Sequence, residues 1–186
     1  MHLLVGLGNY SKKYLGTRHN FGFMLADQII ADYGFKADGN KFNSEFFSGE
    51  IDHKKIIILK PQTFMNLSGL AVLACLSFYK INRENLIIFH DDLDLDLGRI
   101  KIKIAGGNAG HNGLKSIDES IGNQYLRLRL GISRPSNPEY NISDYVLGKF
   151  NEDELKIVEI VNKKISQQFS FIFDNKYDYF LNNFYL

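Results

Sequence analysis

Two residues in this chain, His19 and Asp91, could share a proton, and three amides, Asn9, Asn66 and Asn112, could bind what they act on. His19 lies in GLGNYSKKYLGTRHNFGF, Gly6–Phe23, after Thr17-Arg18 and before Asn20, where a loop gives way to an apolar, helix-like run. There an imidazole can face solvent while the helix fixes its backbone. Its unperturbed pKa of about 6.5 lets it take and give protons near neutral pH. Asp91 follows the apolar run Leu86–His90 in IIFHDDLDLDLG. A carboxylate at a strand end is placed to accept a hydrogen bond from an imidazole, hold one tautomer and stabilise the imidazolium. His19 and Asp91 are therefore a candidate general base and its orienter. There is no G-x-S-x-G elbow, and Cys75 stands in no recognisable pattern with a His, so water is the expected nucleophile.

Asn9 ends the first strand-like run, Asn66 lies in FMNLSG, and Asn112 follows His111 in GGNAGHNGLKSI. Amides offer donors and acceptors together. They suit a substrate carrying peptide groups and can polarise a carbonyl without a metal. A blander reading stands beside each residue: a packed or exposed His, an acidic loop, or Asn residues that are caps and turns, with Asn112 as a helix cap. Asp91, Asp92, Asp94 and Asp96 could also form a divalent-cation site, the last three sharing a side if the strand continues. No EF-hand spacing and no second acidic cluster support that option. Cys75 is the only cysteine, which removes any internal disulfide or thiolate cluster and fits a reducing compartment. No metal and no cofactor are expected. Gly6-x-Gly8 has Ser11 where a dinucleotide loop needs its third glycine, and there is no Walker A lysine.

With 22 basic and 21 acidic residues the net charge is +1, so any nucleic-acid contact must come from a local patch. Two alternating runs could supply one. Arg99, Lys101 and Lys103 share a face of Arg99–Ile104, and Arg127 and Arg129 share a face of Leu126–Ile132. If these strands are neighbours, a basic strip lies beside the site and can grip phosphates. The alternative is a solvated sheet face.

These groups need a scaffold. Leu3–Leu7 reads as a buried strand. Asn20–Tyr33 reads as a helix capped by Asn20 and ended by Gly34. Phe42–Ile51 and Lys54–Lys60 read as a hairpin turning at Asp52-His53. A helix is expected over Ser68–Tyr79, a central strand over Leu86–His90, a short helix over Gly110–Ile121, a loop near residues 134–144, and helices over Glu152–Phe173 and Tyr177–Phe184. Strands alternating with helices predict an α/β fold: a single domain over residues 1–186 with a twisted mixed β-sheet flanked by helices on both faces. In such sheets a site forms beyond the C-terminal ends of the strands. No segment has the form of a signal or the length of a membrane span, so a soluble cytoplasmic protein is expected.

Taken together, GLGN…Y…TRHNFGF, PQTFMNLSG, HDDLDL, GGNAGHNGLKSI and LRLRLGI resemble the bacterial peptidyl-tRNA hydrolase family, in the family's order and over most of residues 1–150. YVLGKF at Tyr145–Phe150 also matches. The resemblance implies hydrolysis of the ester joining a peptide to the 3′ end of tRNA, recycling tRNA from peptidyl-tRNA that has left the ribosome prematurely. It implies that His19 is the general base, Asp91 its partner and His111 a supporting residue. It implies that Asn9 tells blocked from free aminoacyl groups. Tyr14, Phe64, Asn66 and Asn112 match substrate-contacting positions, and Lys103 and Arg129 match residues holding the acceptor-end phosphate. It implies a monomer with no obligate protein partner and no membrane. Departures are Asn9-Tyr10-Ser11 where the family usually has Asn-Pro-Gly, Ala109 where Gly is common, and Asp96 where Pro is common. Two rivals are a non-catalytic RNA-binding module with a degenerate pocket and a hydrolase of small esters.

Overall fold

The computed structural model describes residues 1–186. Seven strands make one mixed sheet: β1 (His2–Gly6), β2 (Lys36–Lys41), β3 (Ser44–Ile51), β4 (Lys54–Pro61), β5 (Leu86–Asp92), β6 (Ile100–Ile104) and β7 (Leu126–Gly131), in the order β2-β3-β4-β1-β5-β7-β6. β4, β1, β5 and β7 run parallel, while β2, β3 and β6 join antiparallel at the flanks. Seven helices accompany them: α1 (Phe21–Tyr33), α2 (Ser68–Tyr79), α3 (Asn112–Ile121), α4 (Ile142–Leu147), α5 (Glu152–Gln167), α6 (Ser170–Phe173) and α7 (Tyr177–Tyr185).

Strand alternation sends successive side chains to opposite faces, and the core divides accordingly. Leu4, Ile58, Ile87, Phe89 and Leu128 pack with α1 and α5. Leu3, Val5, Leu59, Leu86 and Ile88 pack with α2 and α3. Both faces are covered, so Leu3–Gly6 of β1 and Leu86–Phe89 of β5 are apolar throughout, as buried parallel strands require. Gly22 lets α1 close onto the sheet: a Cβ there would overlap the Phe89 carbonyl and the Leu7 backbone. That approach carries the start of α1, with His19 just before it, to the strand ends. No helix is long and apolar enough to cross a membrane.

The mixed α/β sheet, the helix over Ser68–Tyr79 and the hairpin at Asp52-His53, both residues left-handed at φ 51 and 61, stand as expected. Gly34 ends α1 at φ 64. Other local readings need correction. Phe42 and Asn43 form a tight left-handed turn rather than strand, because a further polar strand, β2, pairs back onto β3. The helix expected over Glu152–Phe173 breaks after Gln167, and α4 occupies part of the expected 134–144 loop. Asn20 makes no side-chain cap on α1. His111, not Asn112, caps α3.

Candidate active site

Three consecutive residues ahead of α1, Arg18–Asn20, form one turn of 3-10 helix and engage three different parts of the molecule. Asn20 points inward. Its Oδ1 accepts from the Asn9 backbone N–H at 2.8 Å, and its Nδ2 donates to the Asn9 carbonyl at 3.0 Å. This amide clasp explains why Asn20 does not cap its helix. Asn9 in turn accepts the Met65 N–H on its Oδ1 at 3.0 Å, tying the loop after β1 to the loop after β4. Its Nδ2 remains without a protein partner.

Arg18 points outward. Its Nη2 donates to both carboxylate oxygens of Glu154 at 2.8 Å, its Nη1 donates to the Lys149 carbonyl at 3.0 Å, and its guanidinium lies 4.4 Å from the Tyr145 ring centre. Glu154 also completes the capping box of α5 with Asn151. The backbone adds Arg18 N–H to the Gly148 carbonyl at 3.0 Å and Phe150 N–H to the Gly16 carbonyl at 2.9 Å.

His19 lies between these anchors. Its Nδ1 is 2.9 Å and 3.0 Å from the two Asp91 oxygens. Both residues are buried, with 8% and 4% exposure, yet both line the main cleft, of about 890 Å³. His111 Nε2 is 3.0 Å from Asp91 Oδ1, while its Nδ1 accepts the Gly113 and Leu114 N–H groups at 3.1 and 3.3 Å. Accepting those amides places the His111 hydrogen on Nε2, which donates to Asp91. A carboxylate only accepts, so His19 also donates, through Nδ1–H, and its Nε2 lone pair is left for the cleft. Burial alone would raise the Asp91 pKa; the imidazoles of His19 and His111 outweigh burial and hold it well below the usual carboxylate range. Burial also pulls His19 down, and the charge and hydrogen bond of Asp91 more than reverse this, leaving its pKa above 6.5.

The donor atoms of His19, Asp91 and His111 lie within 4.8 Å of one another, a grouping that could suggest a cation. The His111 bonding argues for protons instead, since the nitrogen facing Asp91 carries a hydrogen and has no lone pair to give. The acidic run does not gather either. β5 ends at Asp92, so the alternation stops there. Asp92 pairs with Arg129 Nε at 2.6 Å and Asp94 with Arg134 Nη2 at 2.6 Å.

The cleft is lined by Asn9, His19, Phe64, Asn66, Lys103, Asp91, His111, Asn112 and Arg129. Tyr14 is the exception among the expected site residues. It sits half-buried in a separate 3-10 turn, outside that lining, with Lys13 Nζ 4.7 Å from its ring centre. The two basic strands are neighbours, with Lys101 opposite Arg129 and Lys103 opposite Arg127. Their arginines differ. Arg127, 2% exposed, is spent inside the fold on Asp118 at 2.9 Å and on the Gly107 and Gly106 carbonyls at 2.8 and 3.0 Å. It anchors the glycine-rich loop, and it also lines the cleft.

Sequence reasoning missed several features. His90 lines the cleft, fully buried, with Nδ1 bonded to the Asp91 carbonyl at 2.8 Å and Nε2 unpartnered. Burial, aided by His111, pushes its pKa down to about 3. Val146 and Leu147 of α4 form a cleft wall, and the Arg18–Glu154 clamp joins residues 136 positions apart, which no local pattern reveals. At the departures, Tyr10 packs its ring 5.4 Å from Phe64. Ala109 takes left-handed backbone, φ 49, where glycine would be free of strain.

The fold and cleft define an α/β protein whose polar pocket lies beyond the carboxyl ends of parallel strands, the usual position for ligand sites in open sheets. The peptidyl-tRNA hydrolase family matches residues 3–185. The chain is 46% identical over 183 residues to the peptidyl-tRNA hydrolase of Rickettsia prowazekii, covering 98% of each. It is 47% identical over 167 residues to that of a Wolbachia from Drosophila simulans, covering 89% of this chain and 91% of the relative. The crystal structure of peptidyl-tRNA hydrolase from Acinetobacter baumannii superposes with a TM-score of 0.92 at 34% identity, covering 99% of this chain and 94% of that one. The chain belongs to the peptidyl-tRNA hydrolase family.

Proposed function

We infer that this chain hydrolyses the ester between the peptide and the 3′ end of tRNA in peptidyl-tRNA, and that His19 activates the attacking water. The observation that carries this is the His19 Nδ1 to Asp91 bond at 2.9 Å, which directs a bare Nε2 into the cleft. Nε2 takes a proton as water attacks the ester carbonyl. Asp91, kept anionic by its two imidazoles, stabilises the imidazolium that forms. The amide of Asn112, beside the capped start of α3, orients the water, and Asn9 Nδ2 and Asn66 take the peptide group next to the ester. Phe64 covers the acyl part. The ribose oxygen then leaves and recovers a proton from His19. An alkoxide is a far better leaving group than an amide nitrogen, so the peptide bonds survive.

Lys103 and Arg129 grip a phosphate of the acceptor end. Asp92 holds the Arg129 guanidinium by Nε, leaving its outer nitrogens for the anion. Tyr14, which lies outside the cleft lining, meets the substrate farther from the ester than the other positions. The reaction is proposed to run within a single chain, with no obligate protein partner. The substrate is a by-product of translation, which places the enzyme in the cytoplasm.

The test offers N-acyl-aminoacyl-tRNA, free aminoacyl-tRNA and a small acyl ester, and measures acyl release. Only the first is cleaved efficiently, and His19→Ala lowers that rate by about two to four orders of magnitude. A His19→Ala variant with near-normal turnover removes His19 from the mechanism. Equal cleavage of all three substrates removes the specificity.

A further inference from the structure

From Gln62 to Tyr79 the sequence QTFMNLSGLAVLACLSFY contains no charged residue, and this stretch includes all of α2. One face of α2, with Val72, Cys75 and Leu76, packs into the second core. A surface helix ordinarily turns polar residues outward. α2 instead exposes Leu70 by 56%, Leu73 by 40% and Phe78 by 69%. Leu67 continues the strip backward to Phe64, whose ring meets exposed Tyr10, and Phe78 continues it forward to Phe42 at 5.6 Å. An apolar face of this length, with Leu73 toward one edge and Phe78 toward the other, marks a place of contact, and it starts in the cleft itself, since Phe64 lines the cleft.

The sheet order says which part of a substrate reaches it. β5, carrying Asp91, lies between β1 and β7. Lys103 and Arg129 stand on β6 and β7, to one side of the reacting centre. Asn9, after β1, and Asn66, after β4, stand on the other. A substrate with its tRNA end on the basic side and its ester at His19 sends its peptide toward Asn9 and Asn66, then to the start of α2.

We propose that the strip from Phe64 through Leu67, Leu70 and Leu73 to Phe78 is an extended subsite for the peptide of peptidyl-tRNA, selecting apolar side chains beyond the residue esterified to the ribose. This rests on the function proposed above and adds a specificity to it. Leu67 to Phe78 spans about 16 Å of helix at ~1.5 Å per residue, which matches about five residues of extended peptide at ~3.3 Å each. A charged peptide would have to desolvate its charges against this uncharged surface, so it gains nothing there.

The experiment compares kcat/KM on tRNA carrying a single N-acetylated residue, a six-residue apolar peptide or a six-residue charged peptide. It uses wild type, the double variant Leu70→Gln/Phe78→Gln and the single variant Leu73→Gln. Glutamine is neutral, so the electrostatics toward tRNA are unchanged, and the single-residue substrate reports that each variant is folded and active. Wild type cleaves the apolar six-residue substrate with kcat/KM about tenfold above the single-residue one, from the partial burial of two or three apolar side chains on an open surface, offset by the cost of ordering the peptide. The charged peptide shows no gain. The double variant keeps its single-residue activity and loses the gain, and Leu73→Gln loses part of it. Equal kcat/KM for apolar and charged peptides in wild type overturns the proposal, as does a gain that survives the double variant. A wild-type dimer in sedimentation that the double variant dissolves also overturns it, by giving the strip to a second copy. Failure of wild type on every substrate, the single-residue one included, overturns the functional reading and this subsite with it.

Discussion

Asp91→Asn tests whether the proton inventory of the site is right. Both imidazoles donate to the Asp91 carboxylate, His19 through Nδ1 at 2.9 Å and His111 through Nε2 at 3.0 Å. Asparagine has one acceptor oxygen and one donor NH₂ in the same space. His111 cannot change tautomer, because its Nδ1 is held by the Gly113 and Leu114 N–H groups. The oxygen it keeps, at the Oδ1 position, is also 2.9 Å from His19 Nδ1, so the two imidazoles compete for it, while the NH₂ lies 3.0 Å from His19 Nδ1. Facing that donor, His19 is driven toward a lone pair at Nδ1 and a hydrogen on Nε2, the form that cannot act as a base. In the serine-protease template a tautomer error of this kind costs about 10⁴ in kcat, and a loss of about 10³ to 10⁴ is expected here. The assay is single-turnover acyl release from N-acetyl-aminoacyl-tRNA between pH 5 and 8. Wild-type rate falls as pH drops through the His19 pKa, which lies above 6.5, because only the neutral imidazole is a base. Without the carboxylate, burial is the remaining influence and lowers that pKa, so the acid limb of the residual activity moves to lower pH. Adding His111→Ala frees the asparagine to rotate its oxygen toward His19, and the double variant recovers about tenfold over Asp91→Asn alone, against simple additivity. A single variant within about threefold of wild type refutes the tautomer argument, as does a double variant no better than the single.

Arg18→Gln removes the Glu154 clamp beside the base and lowers kcat about threefold to tenfold with KM nearly unchanged, since misplacement of a catalytic group costs rate before binding; a change in KM alone, in the same release assay, contradicts a positioning role. Lys103→Gln or Arg129→Gln weakens binding of a non-hydrolysable peptidyl-tRNA analogue and flattens the slope of log K against log salt by about one unit each, measured by filter binding across a salt series. His90, depressed to about 3 from 6.5, stays neutral when folded and protonates when unfolded. Its contribution to stability is therefore present above pH 6.5 and is lost as pH falls toward 3, with a slope approaching ~1.4 kcal/mol per pH unit. Urea melts between pH 4.5 and 6 show that slope in wild type and a shallower one in His90→Phe; equal slopes remove His90 as the cause. Below 6.5 His19 is protonated in both states and adds no slope in this window.

How much of this was legible in the chain depended on range. β5 announced itself because a strand covered on both faces must be apolar along its length, and Asp91 at its end was then a natural partner for an imidazole. α2 was equally plain in extent, yet its unbroken apolar run hid the outward face, since periodicity carries no signal where both faces are apolar. Asn20 looked like a helix cap by type and position, and became instead the clasp of Asn9, a partner 11 residues back that competes better for the same amide. Arg127 and Arg129 are indistinguishable in LRLRLGI. Both line the cleft, but Asp118 and the 106–107 carbonyls take up the outer nitrogens of Arg127, while Arg129 spends only its Nε, on Asp92. The Tyr14 assignment came by resemblance alone, and the structure sets that residue outside the cleft lining.

His19, the proposed base, sits on a single 3-10 turn, which would ordinarily be a poor mount for a group that must be placed within a fraction of an ångström. The turn is rigid because its three residues diverge. Arg18 is fastened to α5 through Glu154, Asn20 to the loop after β1 through Asn9, and His19 to the end of β5 through Asp91. Each anchor belongs to a different element, so no one of them can shift the imidazole without straining the other two. Arg18 also lies against Tyr145 of α4, and Tyr145 Oη donates to the Ile132 carbonyl just beyond β7. The cleft wall and the base are thus braced against the same residue. A substrate that presses on Val146 and Leu147 presses, through Tyr145 and Arg18, on the turn that holds His19. For this reason loss of Arg18 is expected in kcat, where orientation of the base is felt, before it is felt in affinity.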